Sequence, residues 1–210
     1  MSVPLTERLD GLSRRAASAR AGPWAWGLVA LFKLRIVPLL LLAAAGGAFL
    51  GAGGAPAGPA LLTLLIAGGL LAAGASAVNE YLERESDAQM VRTRNRPLAS
   101  GAIGRPRRVL ALGLLMVAAP PAAVAGHNLA LALFLALGAW VYLVIYTIWL
   151  KRRTPLNIVV GGLAGSCAVL SGGAAVRNWA DAGVLLLALL VFLWTPIHFW
   201  SLAMVHRDDY

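Results

Sequence analysis

The segment from residue 36 to residue 79, IVPLLLLAAAGGAFLGAGGAPAGPALLTLLIAGGLLAAGASAVN, contains no charged side chain. A membrane-spanning helix needs about 20 mostly apolar residues, so the segment is long enough for two such helices. Glycine and proline are concentrated in its centre, between Gly51 and Pro59, and these residue types favour a turn. The segment therefore predicts a helical hairpin, with one helix over about residues 36–52 and another over about 60–79.

The same pattern repeats along the rest of the chain. Residues 109–150 carry no Asp, Glu, Lys or Arg, and Gly126-His127-Asn128 predicts the turn between a third and a fourth helix. A fifth helix is predicted at about 155–176 and a sixth at about 182–205. The predicted fold is therefore all-α, a polytopic transmembrane helix bundle with about six spans.

The amino-acid composition indicates that lipid surrounds part of the protein. The chain is 60% hydrophobic and 13% charged, whereas an ordinary soluble domain is about 25% charged. The formal charge of +9 comes from residues between the apolar segments. These charges are typical of membrane topology signals, and we expect no nucleic-acid partner. The single cysteine, Cys167, excludes an internal disulfide and a metal site built on cysteines.

Positive charge is concentrated on one side of the predicted bundle. With the N-terminus inside, residues 1–35, 80–108, 151–153 and 206–210 hold 6, 7, 3 and 1 of the 18 Lys and Arg residues. The positive-inside rule then places both termini of this chain in the cytoplasm. We expect the membrane to be the cell membrane. Residues 1–32 are interpreted as a cytoplasmic tail, either disordered or with a short interfacial helix carrying Leu5, Leu9 and Leu12. Residues 33–210 form the predicted membrane domain.

The most informative polar segment is residues 79–98, NEYLERESDAQMVRTRNRPL. If the second helix continues for a few turns, Asn79, Glu83 and Asp87 lie at i, i+4 and i+8 on one face. Oxygen ligands of this kind suit Mg²⁺, which commonly takes one or two carboxylates together with substrate phosphates. Arg92 and Arg96 follow, and guanidinium groups match phosphate oxygens. The pattern favours a diphosphate site, and the alternative is a solvated loop with incidental ion pairs.

A second polar segment, YTIWLKRRTPLN, covers residues 146–157 on the same predicted side. Its basic residues Lys151 and Arg152 are candidate phosphate ligands, although such a cluster is also the ordinary topology signal. Asn157 is predicted about one turn into the fifth helix. There it serves either substrate binding or helix–helix hydrogen bonding.

A third segment runs from Trp194 to Tyr210 and contains WTPIHFW. A proline inside a span frees a backbone carbonyl and kinks the helix. His198 is a polar residue in a predicted span and is thus a functional-site hypothesis, with hydrogen bonding to a neighbouring helix as the alternative. Asp208 and Asp209 form a second carboxylate pair that is able to hold Mg²⁺.

At these three segments the chain resembles the UbiA-type intramembrane prenyltransferases, and within them the haem-farnesylating branch. Residues 79–98 are similar to the family pattern N-x-x-x-[D/E]-x-x-x-D-x-x-M-x-R-T-x-x-R-P-L, and Met90, Arg92 and Thr93 favour that branch. The resemblance extends from Lys33 to Tyr210. It implies a fold of nine helices, of which this chain covers the first six, so that the membrane domain is incomplete at its C-terminus.

The resemblance also implies an activity, namely Mg²⁺-dependent transfer of a farnesyl group from farnesyl diphosphate to a vinyl group of haem b, giving haem O. Asn79, Glu83 and Asp87 are then metal ligands, and Asp208 and Asp209 hold a second Mg²⁺. The phosphates are neutralised by four cations, Arg92, Arg96, Lys151 and Arg152. Tyr146 shields the farnesyl cation, and His198 contacts the haem. Haem A synthase and haem-copper oxidase assembly are implied as partners.

One departure from the family pattern is Glu83, which stands where many relatives have aspartate. The longer side chain keeps the charge and changes the geometry open to a metal. Two other functions remain open at this point. One is prenylation of an aromatic quinone precursor, and the other is a truncated, non-catalytic membrane protein such as a transporter-like scaffold. A transporter more often has its polar residues at the bilayer midplane, whereas here they lie at the cytoplasmic ends of the helices.

Overall fold

The computed structural model describes residues 23–91, 93–151, 153–154 and 156–205. Within these residues every regular element is a helix. They are α1 (Pro23–Leu31), α2 (Val37–Gly51), α3 (Gly58–Gln89), α4 (Pro106–Ala125), α5 (Leu129–Trp140), a π-helix (Val141–Leu150) that continues α5, α6 (Asn157–Ala175) and α7 (Ala182–Val205). The predicted all-α bundle is confirmed.

Five of these helical segments are long and apolar enough to cross a membrane, so the protein is a multi-pass membrane protein. They are α3, α4, α5 with the π-helix, α6 and α7. Helix α2 has 15 residues, which correspond to about 22 Å and fall short of the ~30 Å hydrocarbon core. The helix predicted at 36–52 is thus present, but it is shorter than a full span.

Helix α3 differs most from the prediction. We expected the second helix to end near Asn79, and it continues to Gln89, with 32 residues in all. The charged residues after Asn79 do not stop it, because Glu, Arg and Gln are good helix formers and no glycine or proline occurs before Pro97. The polar residues that follow Asn79 therefore continue the same helix for about three more turns.

The tightest contact in the bundle joins α2 and α6. A Cβ built on Gly172 would lie 1.9 Å from the carbonyl oxygen of Ala44, and one built on Gly47 would lie 2.1 Å from that of Val169. Backbones approach this closely only where glycine removes the side chain, as is common where membrane helices pack. The main buried cluster adjoins this crossing and includes Ala44, Ala48, Leu64, Leu131 and Ala174.

Helix α1 belongs to the described structure although its residues were interpreted as part of the tail. Leu31 is buried against Ala77 of α3 and against Leu98. The prediction of an interfacial helix at Leu5, Leu9 and Leu12 lies outside the described residues.

Candidate active site

The last turns of α3 carry a buried polar face. Asn79, Glu83 and Asp87 are 2%, 7% and 4% exposed. Because α3 continues to Gln89, these three side chains share one face at i, i+4 and i+8, as their spacing requires. We call this face, formed by Asn79, Glu83 and Asp87, the α3 face. A carboxylate is rarely buried without a charged partner, so the neighbours of this face decide what it does.

Two cations pair with the two carboxylates. The Nζ atom of Lys151 lies 2.5 Å from Oε1 of Glu83, and Nη1 of Arg96 lies 2.6 Å from Oδ2 of Asp87. The same Arg96 nitrogen is 3.9 Å from Oε2 of Glu83. Arg96 therefore bridges the two carboxylates, and Lys151 reaches Glu83 from a segment 68 residues away in sequence.

A third cation, Lys33, completes the face and was not among the predicted site residues. Its Nζ donates to Oδ1 of Asn79 at 2.7 Å and to the hydroxyl of Tyr142 at 3.2 Å. Burial of the ammonium lowers the pKa of Lys33 to about 8. Nearby Arg96 lowers that pKa further, and the carboxylates of Glu83, Glu80 and Asp87 oppose the change.

The π-helix determines which side chains face α3. Its hydrogen bonds span five residues instead of four, as in the 3.0 Å bond from the amide of Lys151 to the carbonyl of Tyr146. Lys151 is nine residues after Tyr142, which is two and a half turns of an α-helix but about two turns of the wider π-helix. The two residues consequently lie on one side. Tyr146 stacks on Tyr142 at 5.9 Å between ring centroids, and Thr147 accepts from Nδ2 of Asn79 at 3.2 Å.

Hydrogen bonds to α3 hold the segment that follows this helix in a position where Arg96 lies over the carboxylates. The Thr93 hydroxyl donates to the carbonyl of Asp87 at 3.0 Å, and the Leu98 amide donates to Oε1 of Glu80 at 3.1 Å. Glu80 is 1% exposed. It lies outside the i, i+4 series, so the sequence pattern did not single it out.

Two other predicted site residues lie apart from this cluster. Asn157 is the first residue of α6 and not one turn into it. Its Oδ1 atom is buried without a hydrogen-bond partner among the described residues. His198 has an exposed ring that stacks on Trp194 at 4.5 Å, and in the described part of the chain no hydrogen bond joins it to the α3 face. Arg92, Arg152, Asp208 and Asp209 lie outside the described residues.

The α3 face fits a hard divalent cation by the chemistry of its donors. Its ligand atoms are oxygens from two carboxylates and one amide, the set that Mg²⁺ takes together with water and phosphate. Within the described ranges no group of three or more His, Cys, Asp or Glu side chains forms a metal site by itself. The oxygens of the face are instead hydrogen-bonded or paired to Lys33, Lys151 and Arg96. A metal has to share this face with those cations.

An apolar cavity of about 40 Å³ lies deeper in the bundle, between α2, α3, α5 and α6. Gly68, Gly138 and Cys167 are among the residues that line it. Gly68 precedes Asn79 by eleven residues, so it lies on nearly the same face of α3 and about 17 Å further along the helix. The cavity and the α3 face therefore lie at opposite ends of the same side of α3.

The described residues thus form a membrane-type helix bundle with buried carboxylates and three convergent cations at one end. The sequence profile of the UbiA prenyltransferase family matches residues 39–210. The chain belongs to this family.

Individual relatives with names give a more specific comparison than the family profile. The chain is 48% identical over 184 residues to "Protoheme IX farnesyltransferase 2" of Paramagnetospirillum magneticum, an alignment that covers 87% of this chain and 64% of the relative. It is 40% identical to "Protoheme IX farnesyltransferase" of Photobacterium profundum, over 100% of this chain and 66% of the relative. A third relative of that name, from Methylococcus capsulatus, is 40% identical over 95% of this chain and 67% of its own length. The chain thus spans about two thirds of the length of these relatives. No solved structure matches significantly.

Proposed function

We propose that the protein transfers a farnesyl group from farnesyl diphosphate to a vinyl group of haem b, giving haem O. The observation that carries the proposal is the α3 face, where three oxygen-bearing side chains meet three cations at one end of a membrane bundle. Membership of the UbiA family supports prenyl transfer, and the names of the relatives support haem as the acceptor.

The α3 face would hold the diphosphate through Mg²⁺. Asn79, Glu83 and Asp87 supply the metal ligands, and Arg96 and Lys151 turn from the carboxylates to phosphate oxygens. Arg92 and Arg152 are proposed to add to the same anion site, and Asp208 and Asp209 to a second Mg²⁺. Members of the family are generally Mg²⁺-dependent. The bound ion supplies neutralisation of the charge that develops on the departing diphosphate.

Transfer breaks the C–O bond of farnesyl diphosphate, and the electron pair leaves with the diphosphate. Arg96 and Lys151 stabilise this leaving group as its charge grows. The vinyl group of haem b donates its electron pair to C1 of the farnesyl group, which forms the new C–C bond. Water adds to the carbocation beside the porphyrin ring and loses a proton, giving the hydroxyethylfarnesyl product. The stacked rings of Tyr142 and Tyr146 shield the farnesyl cation by cation–π attraction.

The farnesyl tail is proposed to extend from the α3 face toward the apolar cavity. Asn79 and Gly68 lie on the same side of α3, and the ~17 Å between them is comparable with an extended farnesyl chain. The lining of the cavity is almost entirely apolar, and its volume of about 40 Å³ suits the end of the tail and not its whole length. Entry of that end removes hydrocarbon from water.

Four further assignments belong to the same proposal. His198 contacts the haem, and Asn157, with its unpartnered buried oxygen, binds substrate. The protein lies in the cell membrane, and the distribution of Lys and Arg supports a cytoplasmic N-terminus. Its product serves haem A synthase and haem-copper oxidase assembly.

The test is reconstitution of the 210-residue chain in liposomes with haem b, farnesyl diphosphate and Mg²⁺, followed by chromatography and mass measurement of the haem. Asp87→Asn removes one proposed ligand. Glu85→Gln is the matched control, because its carboxylate is on the same helix but 82% exposed.

Three results are informative. We expect haem O from the wild type and from Glu85→Gln, and loss of nearly all product with Asp87→Asn. The assay is repeated with an aromatic quinone precursor in place of haem b, and product from that acceptor but not from haem would instead establish the quinone-precursor reaction. Equal product from Asp87→Asn and wild type would refute the assigned site.

A further inference from the structure

Lys33 is held in an unusual backbone conformation at the junction between α1 and α2. Its φ angle is +47°, a left-handed value that residues with a Cβ seldom adopt. The turn is closed by hydrogen bonds from the Ile36 and Val37 amides to the Lys33 carbonyl, at 2.7 and 3.2 Å. Such strain persists only where surrounding structure enforces it and is common at functional sites. Here the result is a lysine whose ammonium reaches into the α3 face.

The partner of Lys33 distinguishes it from the other two cations. Lys151 and Arg96 pair with carboxylates, whereas Lys33 donates to the neutral amide oxygen of Asn79 and to the hydroxyl of Tyr142. Three positive charges thus lie at the two carboxylates of the proposed ligand set, and the carboxylate of Glu80 acts on Lys33 through space. Among the described residues, Lys33 is the cation of this face that has no carboxylate in direct contact.

The position of Lys33 has opposite consequences for a metal and for an anion. A divalent cation alone would be repelled by the Lys33 ammonium, which has no carboxylate in direct contact. It would also compete with Lys33 for the Oδ1 atom of Asn79. A diphosphate with three negative charges, arriving with the metal, would more than offset the charge of the metal, and its oxygens would accept from Lys33 in place of Asn79.

We propose that Lys33 is a diphosphate-binding residue that occupies the metal-ligating oxygen of Asn79 until the metal and the diphosphate bind together. The inference rests on the diphosphate site proposed above and adds a residue to it. Lys33 makes binding of Mg²⁺ and of diphosphate mutually dependent, since each removes the obstacle to the other.

The test measures binding and not turnover, by calorimetry on the purified chain with inorganic pyrophosphate at saturating Mg²⁺ and with Mg²⁺ alone. Lys33→Gln keeps an N–H donor for Asn79 and removes the charge. Arg96→Gln is the positive control for the diphosphate site. Arg107→Gln is the matched control, because it removes an exposed cation near the start of α4. Lys33→Arg keeps the charge and serves as a rescue variant, and the unfolding temperature of each variant establishes folding.

We expect Lys33→Gln to weaken binding of the Mg²⁺–pyrophosphate complex about tenfold or more, the scale of one charge-assisted hydrogen bond. Binding of Mg²⁺ alone should be unchanged or tighter, and Lys33→Arg should recover much of the pyrophosphate affinity. A merely structural role would lower both affinities together. The proposal for Lys33 is wrong if Lys33→Gln binds the complex as the wild type does while Arg96→Gln does not. Absence of pyrophosphate binding by the wild type would instead refute the diphosphate site itself.

Discussion

Replacement of Gly172 by alanine tests the contact on which the bundle depends most. The new Cβ would lie 1.9 Å from the carbonyl oxygen and 2.9 Å from the carbonyl carbon of Ala44, and 2.7 Å from the amide nitrogen of Ala48. All three are backbone atoms of α2, so no side chain can rotate away. A C···O contact of ~3.3 Å requires α2 and α6 to separate by about 1.4 Å.

The cost of that separation follows from the packing along the crossing. A gap of 0.5–1 Å already forfeits a quarter to a half of a dispersion contact, and overpacking in a well-packed core costs about 1–3 kcal/mol, occasionally more. We expect Gly172→Ala to lower the free energy of unfolding by about 3 kcal/mol. Steric trapping in bicelles measures this quantity for a membrane protein without extrapolation from detergent.

The matched control is Gly69→Ala in α3. Its Cβ would meet Cδ1 of Leu41 at 3.6 Å, an ordinary contact, and alanine favours a helix by about 0.5–1 kcal/mol over glycine. This variant should therefore be as stable as the wild type or slightly more so. Equal stability of the two alanine variants would show that the close approach of α2 and α6 is not what holds the helices together.

Three other predictions concern the site. Glu80→Ala should lower the free energy of unfolding by about 1–3 kcal/mol, since it leaves the buried Leu98 amide without an acceptor; thermal unfolding in detergent measures this, and no change would mean that water replaces the carboxylate. Gly68→Val adds a side chain 3.4 Å or less from Leu41 in the apolar cavity. It should shift preference from farnesyl toward geranyl diphosphate in a competition assay, and an unchanged ratio would place the tail elsewhere. Chelation of Mg²⁺ should abolish turnover and leave the unfolding temperature unchanged, because Lys33, Lys151 and Arg96 already hold the α3 face; a large drop would mean that the metal is structural.

Sequence patterns predicted the part of the site that lies on one helix. Asn79, Glu83 and Asp87 recur every four residues, and an α-helix puts such residues on one face whatever surrounds it. The family and the all-α fold also followed from local features, namely the apolar lengths and three polar motifs. The residues from other segments that contact the α3 face could be identified only from the tertiary structure.

Lys33 shows why the other residues of the candidate site were not predicted. The positive-inside rule expects a lysine just before an apolar helix. The sequence therefore gave no reason to treat Lys33 as anything other than a residue that determines membrane topology. Its left-handed turn and its contact with Asn79, 46 residues away, are properties of the folded chain. Likewise, the pattern placed Lys151 on the correct side but did not predict its pairing with Glu83, because that pairing depends on π-helical hydrogen bonding.

The π-helix also affects how related sequences should be compared. Such a segment differs from an α-helix by about one extra residue per wide turn, so deletion of one residue between Val141 and Leu150 would let it relax to α-helix. Lys151 would then follow Tyr142 by eight residues, or about 2.2 turns of α-helix, instead of about two turns of π-helix. It would rotate by about 80° relative to Tyr142, away from Glu83, while hydropathy and composition would be almost unchanged. We expect the number of residues in this stretch to be a stricter marker of shared activity than their identity. An alignment gap there would indicate a homologue that has kept the bundle and lost this arrangement of charges.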